Sequence, residues 1–277
     1  MMRSLGCCLA LTLVLAVWSL SPLAQSPLGN SEAPLEISAD KGIEWRREER
    51  VYIARGNARA KQGDNEIRAD ELRAYYTGSG DAGGDIYKVE AIGHVVVISP
   101  GGTAYGERAV YDVPSQVAVL TGGNLKLEAE DDIVTARDSL EYWQGKNLAV
   151  ARGNAEVTRI DREKGTSSVI RADIMTAAFA EGSAGRELKT VDAFEAVEII
   201  TACEYITSDQ ARYLVPEQIA YLTGNVKITR GNNQLNGDAA EVNLATGIST
   251  LTGDRVQGLL VPNQDNDKVP VPGTDCN

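Results

Sequence analysis

Five carboxylates recur at one place in a repeated pattern. Asp70, Glu107, Asp173, Asp209 and Asp238 each follow an apolar residue, a variable residue and a small residue, as in Ile67-Arg68-Ala69-Asp70 and Ile170-Arg171-Ala172-Asp173. Paired carboxylates are what glycoside hydrolysis needs, one as acid and one as nucleophile or base. A sixth copy, Val134-Thr135-Ala136-Arg137, has Arg137 where the acid belongs. A carboxylate that returns once per repeat beside a small residue reads as a cap on a bend or an acceptor for backbone amides. The Gly/Asp nonapeptide ladder of a calcium site is absent, so neither a metal nor a cofactor is expected. His94 is the one histidine, which excludes His-rich metal sites and any mechanism using two imidazoles. It stands where other repeats carry Asn57 and Asn154, at a turn position. Arg46, Arg47 and Arg50 form a charge run that could touch phosphates but reads first as a solvated face. Trp45 and Trp143 are isolated and read as cover for an edge.

The elements that carry these residues repeat. A small-residue turn followed by alternating residues occurs six times, at Gly56-Asn57, Gly93-His94, Gly123-Asn124, Gly153-Asn154, Glu195-Ala196 and Gly224-Asn225. Gly-Asn suits positive φ and a reversal of the chain, so each repeat reads as two short antiparallel strands. Period-2 alternation puts Ala58 and Ala60, Val95 and Val97, Leu125 and Leu127, Ala155 and Val157, Val197 and Ile199, and Val226 and Ile228 on one face. The turn positions 57, 94 and 124 map onto 154, 196 and 225 at offsets of 97, 102 and 101. The chain therefore reads as two three-repeat blocks, about 34–132 and 133–262. No segment offers a helical stripe. The aliphatic column such a stack buries is either a packed core or a slot for acyl chains, and periodicity leaves both open.

The N-terminus, with Arg3, an apolar run from Leu5 to Val17 and the small residue Ala24, reads as a secretory signal peptide over 1–24. Residues 25–33 read as a flexible lead, and 263–277, with Val269-Pro270-Val271-Pro272-Gly273, as a disordered tail. Of four cysteines, Cys7 and Cys8 fall in the signal, leaving Cys203 and Cys276 as a candidate disulfide or as free thiols. The 277 residues carry 27 Lys+Arg against 39 Asp+Glu, a net charge of −12, which argues against nucleic acid as a partner. Hydrophobic residues reach 43% while aromatic residues stay at 5%, so a core can form but aromatic sugar platforms are scarce.

Pro34-Leu35-Glu36-Ile37-Ser38-Ala39-Asp40, Ala54-Arg55-Gly56-Asn57 and Ile67-Arg68-Ala69-Asp70 together resemble the opening of the LptA (OstA-like) family of periplasmic lipopolysaccharide-transport bridge proteins. Tyr221-Leu222-Thr223-Gly224-Asn225-Val226, Leu235-Asn236-Gly237-Asp238 and Gly253–Pro262 resemble its closing strands. The resemblance spans residues 34 to 262. It implies an all-β fold, a twisted, slightly open β-jelly roll of stacked V-shaped antiparallel repeats, with no enzymatic activity. It also implies a periplasmic carrier whose interior shields the acyl chains of lipid A in lipopolysaccharide. The interior positions would be Leu35, Ile37, Ala58, Ala60, Val95, Val97, Leu125, Leu127, Val157, Val197, Ile199, Val226 and Ile228. Its expected partners are an LptC-like inner-membrane component, an LptD-like outer-membrane protein and a second copy head to tail. The joints would be the end strands, with Leu35, Ile37, Val256, Leu259 and Val261. The chain is longer than a typical bridge protein, and Ala58, Ala60 and Ala155 are smaller than usual interior residues. An LptC-like anchored component, a polysaccharide-processing enzyme on a repeat scaffold and a ligand-free fibre module are the alternatives.

Overall fold

The computed structural model describes residues 35–78, 84–162, 165–182, 185–244, 246 and 248–261. The segments read as a signal peptide (1–24), a lead (25–33) and a tail (263–277) lie outside them. The chain is an up-and-down antiparallel series in sequence order. Two short strands, β1 (Glu36–Ser38) and β2 (Ile43–Arg46), both lie on β3 (Val51–Gln62). β4 (Asn65–Tyr76), β5 (Ile86–Ser99) and β6 (Gly102–Asp112) follow, each on the one before. β6 then holds two short strands, β7 (Val117–Thr121) and β8 (Leu125–Glu128). Against these lie β9 (Asp132–Ala136), on β8, and β10 (Ser139–Trp143), on β7. Both of the latter lie on β11 (Leu148–Asp161). Long strands resume with β12 (Thr166–Gly182), β13 (Gly185–Ile200), β14 (Tyr205–Leu214), β15 (Ile219–Arg230) and β16 (Asn233–Asn243). β17 (Ile248–Thr252) and β18 (Gln257–Leu259) both close on β16.

The Gly-Asn pairs do not reverse the chain. Gly56 and Asn57 have φ of +79° and +44° and sit inside the 12-residue β3, where the register jumps between Arg55 and Ala58. Together they form a β-bulge that bends the strand without ending it, whereas Gly123-Asn124 falls in the break between β7 and β8. β5, β11, β13 and β15 are bent the same way at Gly93-His94, Gly153-Asn154, Glu195-Ala196 and Gly224-Asn225. A turn and a bulge make the same demand for positive φ, so residue type alone does not separate them. The strands are consequently long, up to 17 residues in β12. Reversal falls to other residues. Arg50, Gln116, Asn147 and Gln218 all have positive φ. Each donates its N–H to the carbonyl three residues back, on Arg47, Val113, Gln144 and Val215 respectively.

The bend divides the sheet into two leaves that face one another. Leaf one holds the strand halves of residues 43–46, 51–55, 71–76, 86–92 and their successors. Leaf two holds 36–38, 58–62, 65–69, 95–99 and theirs. Each core cluster draws on both leaves: Ala54, Leu72 and Leu120 pack with Ala58, Ile67 and Leu125. Met175 and Ala193 pack with Ala172 and Val197, and Leu222 and Val242 with Val226 and Ile228. The fold is all-β, one continuous antiparallel sheet folded on itself, and one 3₁₀ turn at Gln144–Lys146 is its sole helical element among the described residues.

The recurring carboxylates stand at the bend. A Cβ on Gly93 would come within 2.3 Å of Asp70 Oδ2, on Gly224 within 2.3 Å of Asp209 Oδ2, and on Gly253 within 2.5 Å of Asp238 Oδ2. Each acid therefore occupies the space left by a glycine on the next strand. Asn225 Nδ2 donates to Asp209 at 2.9 Å, and Asp254 N–H donates to Asp238 at 2.9 Å. Where Arg137 interrupts the pattern, its neighbour Asp138 fills the role against Gly153, at 2.2 Å from that added Cβ.

Candidate functional site: the space between the leaves

Burial is uneven along the expected interior positions. Ala58, Val95, Leu125, Val197 and Val226 are at most 2% exposed and Ile228 is also buried; these side chains are packed core, whereas Ala60, also buried, borders open space. Val97, Val157 and Ile199 are half-buried against the clusters, and Leu127 is half-buried too. Open space lies at the N-terminal end. A cleft of about 350 Å³ runs between the leaves there, at the lower end of the range for ligand sites. Leu35, Ile37 and Ala60 line it from leaf two, and Ile43, Tyr52, Ala54, Leu72, Val89 and Tyr111 from leaf one. A second space of about 30 Å³ lies next along the stack, bounded by Ile67, Val97, Ala109 and Ala118. Val89 and Tyr111 line both.

The leaf-one lining escaped sequence reading, which followed only the strand halves after each Gly-Asn. The signal was present, because Tyr52/Ala54, Leu72/Ala74 and Val89/Ala91 alternate as regularly as the halves that follow. At the outer end of this lining, Trp45 stacks on Tyr52 with centroids 5.5 Å apart, and Tyr52 lies 5.1 Å from Tyr76. Trp45 Nε1 donates to the Tyr76 hydroxyl at 2.8 Å, and the Arg47 guanidinium sits 4.3 Å over the indole. Trp45 thus covers the edge strand β2 as part of an aromatic group. Trp143 donates to Glu141 at 2.9 Å and lies under Lys146.

Outside, charges are tied across strands. Arg55 bridges Glu44 at 2.5 Å and Glu71 at 2.7 Å, and Arg73 joins the same Glu71. Within the arginine run, Arg47 lies over Trp45 and Arg46 binds Glu44 and Glu49. Those contacts hold the Glu44 carboxyl below its usual range through Arg46 first and Arg55 next. Burial is the strongest single influence on Glu90 and raises its pKa, but the hydrogen bond and charge of Lys88, the Arg108 charge and the Tyr75 hydroxyl together leave it lowered. On leaf two, Arg171 pairs with Glu156 at 2.7 Å and reaches Glu198. Asp70, Glu107, Asp209 and Asp238 face Gly93, Gly122, Gly224 and Gly253, Asp173 accepts from the Asn154 N–H, and among the described residues no His/Cys/Asp/Glu group of three could hold a metal ion.

His94 Nδ1 lies 2.8 Å from Asp70 Oδ2, and that hydrogen bond raises the histidine pKa. The protonated ring is favoured in the folded state. Its small contribution to stability is therefore complete below the unfolded pKa of about 6.5 and is lost as pH rises through the folded value. With one histidine in the chain, NMR titration should give a midpoint above the ordinary value, returning to it in Asp70→Asn. An unshifted midpoint in the parent protein would contradict the contact.

The two ends expose apolar residues. Ile37 is 36% and Ile43 53% exposed at the first edge, and Ile248, Val256, Leu259, Leu260 and Val261 are exposed at the other. Among the described residues, the strand registers place β1 and β2 on β3 and β17 and β18 on β16, with no further partner for these four. Leu35 is half-buried. Cys203 is disulfide-bonded; the expected pairing with Cys276 lies outside the described residues.

A family model described as LptA/(LptD N-terminal domain) LPS transport protein matches residues 36–138 and 205–272. Among solved structures, LptH, the LptA homologous periplasmic component of the conserved lipopolysaccharide transport device from Pseudomonas aeruginosa, aligns at 9% identity. That alignment covers 83% of this chain and 97% of LptH with a TM-score of 0.22, too low to bear on the fold. No curated protein matches the chain.

Proposed function

The chain belongs to the LptA/LptD N-terminal-domain family of LPS transport proteins, and from that premise we propose that it is a non-enzymatic periplasmic carrier that holds lipopolysaccharide by its acyl chains. The observation that carries this reading is the largely apolar cleft between two facing leaves, which borders the aliphatic core. Each lipid methylene exposed to water costs roughly 0.8 kcal/mol, and a trough lined by Val89, Leu72 and Ile37 removes that cost without fixing a headgroup. The ion-paired exterior keeps the leaves' outer faces in water. The sugars of the lipid stay outside the cleft. An LptC-like donor and an LptD-like acceptor are its partners, and copies join head to tail at the end strands. The two blocks reflect an internal duplication that lengthens one carrier.

Placing benzoylphenylalanine at Tyr52 tests this. Irradiation with lipopolysaccharide should give a covalent adduct, whereas the same group at Tyr105, which stands on the outer face of leaf two beside Lys126, should give none. Equal capture at both positions, or none at Tyr52, would overturn the proposal.

A further inference from the structure

The walls of the N-terminal cleft occur a second time in the chain. β10 and β11 repeat β2 and β3 at a step of 97 residues, β12 repeats β4 at 103, and β13 and β14 repeat β5 and β6 at 102. The pairings repeat with them. Ile43 opposite Ala54 becomes Leu140 opposite Ala151, and Ala54 opposite Leu72 becomes Ala151 opposite Met175. Val89 opposite Tyr111 becomes Val191 opposite Tyr213. The one-residue slip in register that bends each long hairpin also recurs, after Tyr75 and after Ala178. In the second block Leu140, Ala177 and Val191 are only half-buried.

The two blocks differ in what stands between those walls. Gly84 lines the first cleft, and a Cβ there would run into the Thr77 carbonyl. The residue at its place in the second block is Arg186. The Arg186 guanidinium donates to the Tyr142 hydroxyl, and its carbon lies 5.9 Å from the ring centre. Tyr142 shares a face with Leu140, which packs into the core, so this contact lies on the inner side. β11 and β12 stand between β10 and β13, a span of about 14 Å at the usual strand spacing. The two side chains therefore meet over the inner faces of both strands. Ala149, directly opposite Tyr142 on β11, stands where the first block has Tyr52, so a small side chain lies under the pair. Burial pushes the Tyr142 pKa up. The Arg186 side chain is 19% exposed, with Glu181 3.4 Å away at the exposed rim.

We propose that the second block holds a second acyl-chain site, equivalent to the N-terminal cleft, which Arg186 and Tyr142 fill until lipid displaces them. The walls they cover are aliphatic, so the occupant is an acyl chain. One hydrogen bond and one cation–π contact make a clasp weak enough to open. Once released, the guanidinium turns to Glu181 and water while its methylene stem stays on apolar surface. The first block thus offers an open site and the second a clasped one. This deepens the carrier reading and rests on it.

Benzoylphenylalanine at Tyr213, the counterpart of the cleft-lining Tyr111, reads the second site in the purified chain. Capture of lipopolysaccharide there should rise at least tenfold in Arg186→Gly, which installs the first block's residue. It should rise severalfold in Tyr142→Phe, which removes only the hydroxyl. Equal capture at Tyr213 in the parent and in Arg186→Gly, whether strong or weak, overturns the clasped site, and labelling at Tyr52 then leaves the carrier reading standing. Absence of labelling at Tyr52 in the parent sinks the carrier reading and the second site together. Should Arg186→Gly lose the circular dichroism of the sheet, Tyr142→Phe decides, and unchanged capture in it overturns the clasp.

Discussion

Leu222→Ala is expected to cost about 2–5 kcal/mol, the usual range for emptying a buried leucine site, and to do so locally. Leu222 is 1% exposed and packs with Ile206, Val226, Ile228, Ala240 and Val242. That cluster meets the middle of the chain through the half-buried Ile199 and Ala211, which also flank the preceding cluster. Each strand pairs only with its neighbours, so stability should behave as a sum of adjacent layers and not as one unit. Native-state hydrogen exchange reads this directly. At tenfold per 1.4 kcal/mol, amides of β14–β16 should exchange roughly 30- to 3,000-fold faster, with β3–β5 unchanged within about twofold. Equal acceleration in all strands would mean that the leaves unfold as a single cooperative body.

The all-β class and the inward face were legible because alternation is a strong local signal. Val95, Val197 and Val226 were placed inside from their spacing, and each is 1% exposed. The bend was not legible as a bend. Gly153-Asn154 satisfies a hairpin turn as readily as a bulge, and what decides between them is the pairing of both flanks with the same neighbour, as β11 does with β12 on either side of the jump from Arg152 to Ala155. A carboxylate beside a small residue does read as a bend feature, but the partners of most of these acids lie further along the chain, and Asp173 instead meets Asn154 on the preceding strand. Glu107, Asp138, Asp209 and Asp238 each precede by fifteen residues the glycine they face. That spacing was in the sequence, and it would have put Asp138 in place of Arg137. Which part of the column is open was beyond reach, since Ala60 lines the cleft and Ala58 is packed although both alternate on one face.

Val89 separates the two spaces between the leaves, and replacing it should stop a lipid at that point. It is half-buried, paired with Ala74 on one side and Tyr111 on the other, and it lines both the 350 Å³ cleft and the space beyond. Val89→Trp fills the passage while keeping it apolar, and Val89→Glu adds a charge that must stay hydrated or lose solvation against methylenes. With benzoylphenylalanine at Tyr52, the Trp variant should still capture lipopolysaccharide, because the outer part of the cleft is untouched. With the same group at Ala118, which borders the inner space, capture should fall at least tenfold, equivalent to about 1.4 kcal/mol. The Glu variant should lower both, since an acyl chain passing it forfeits roughly 0.8 kcal/mol for every methylene held away from the wall. Circular dichroism of each variant checks that the sheet is intact. If Ala118 labels as strongly in Val89→Trp as in the parent, lipid reaches the inner column from another side, and the cleft is not its route.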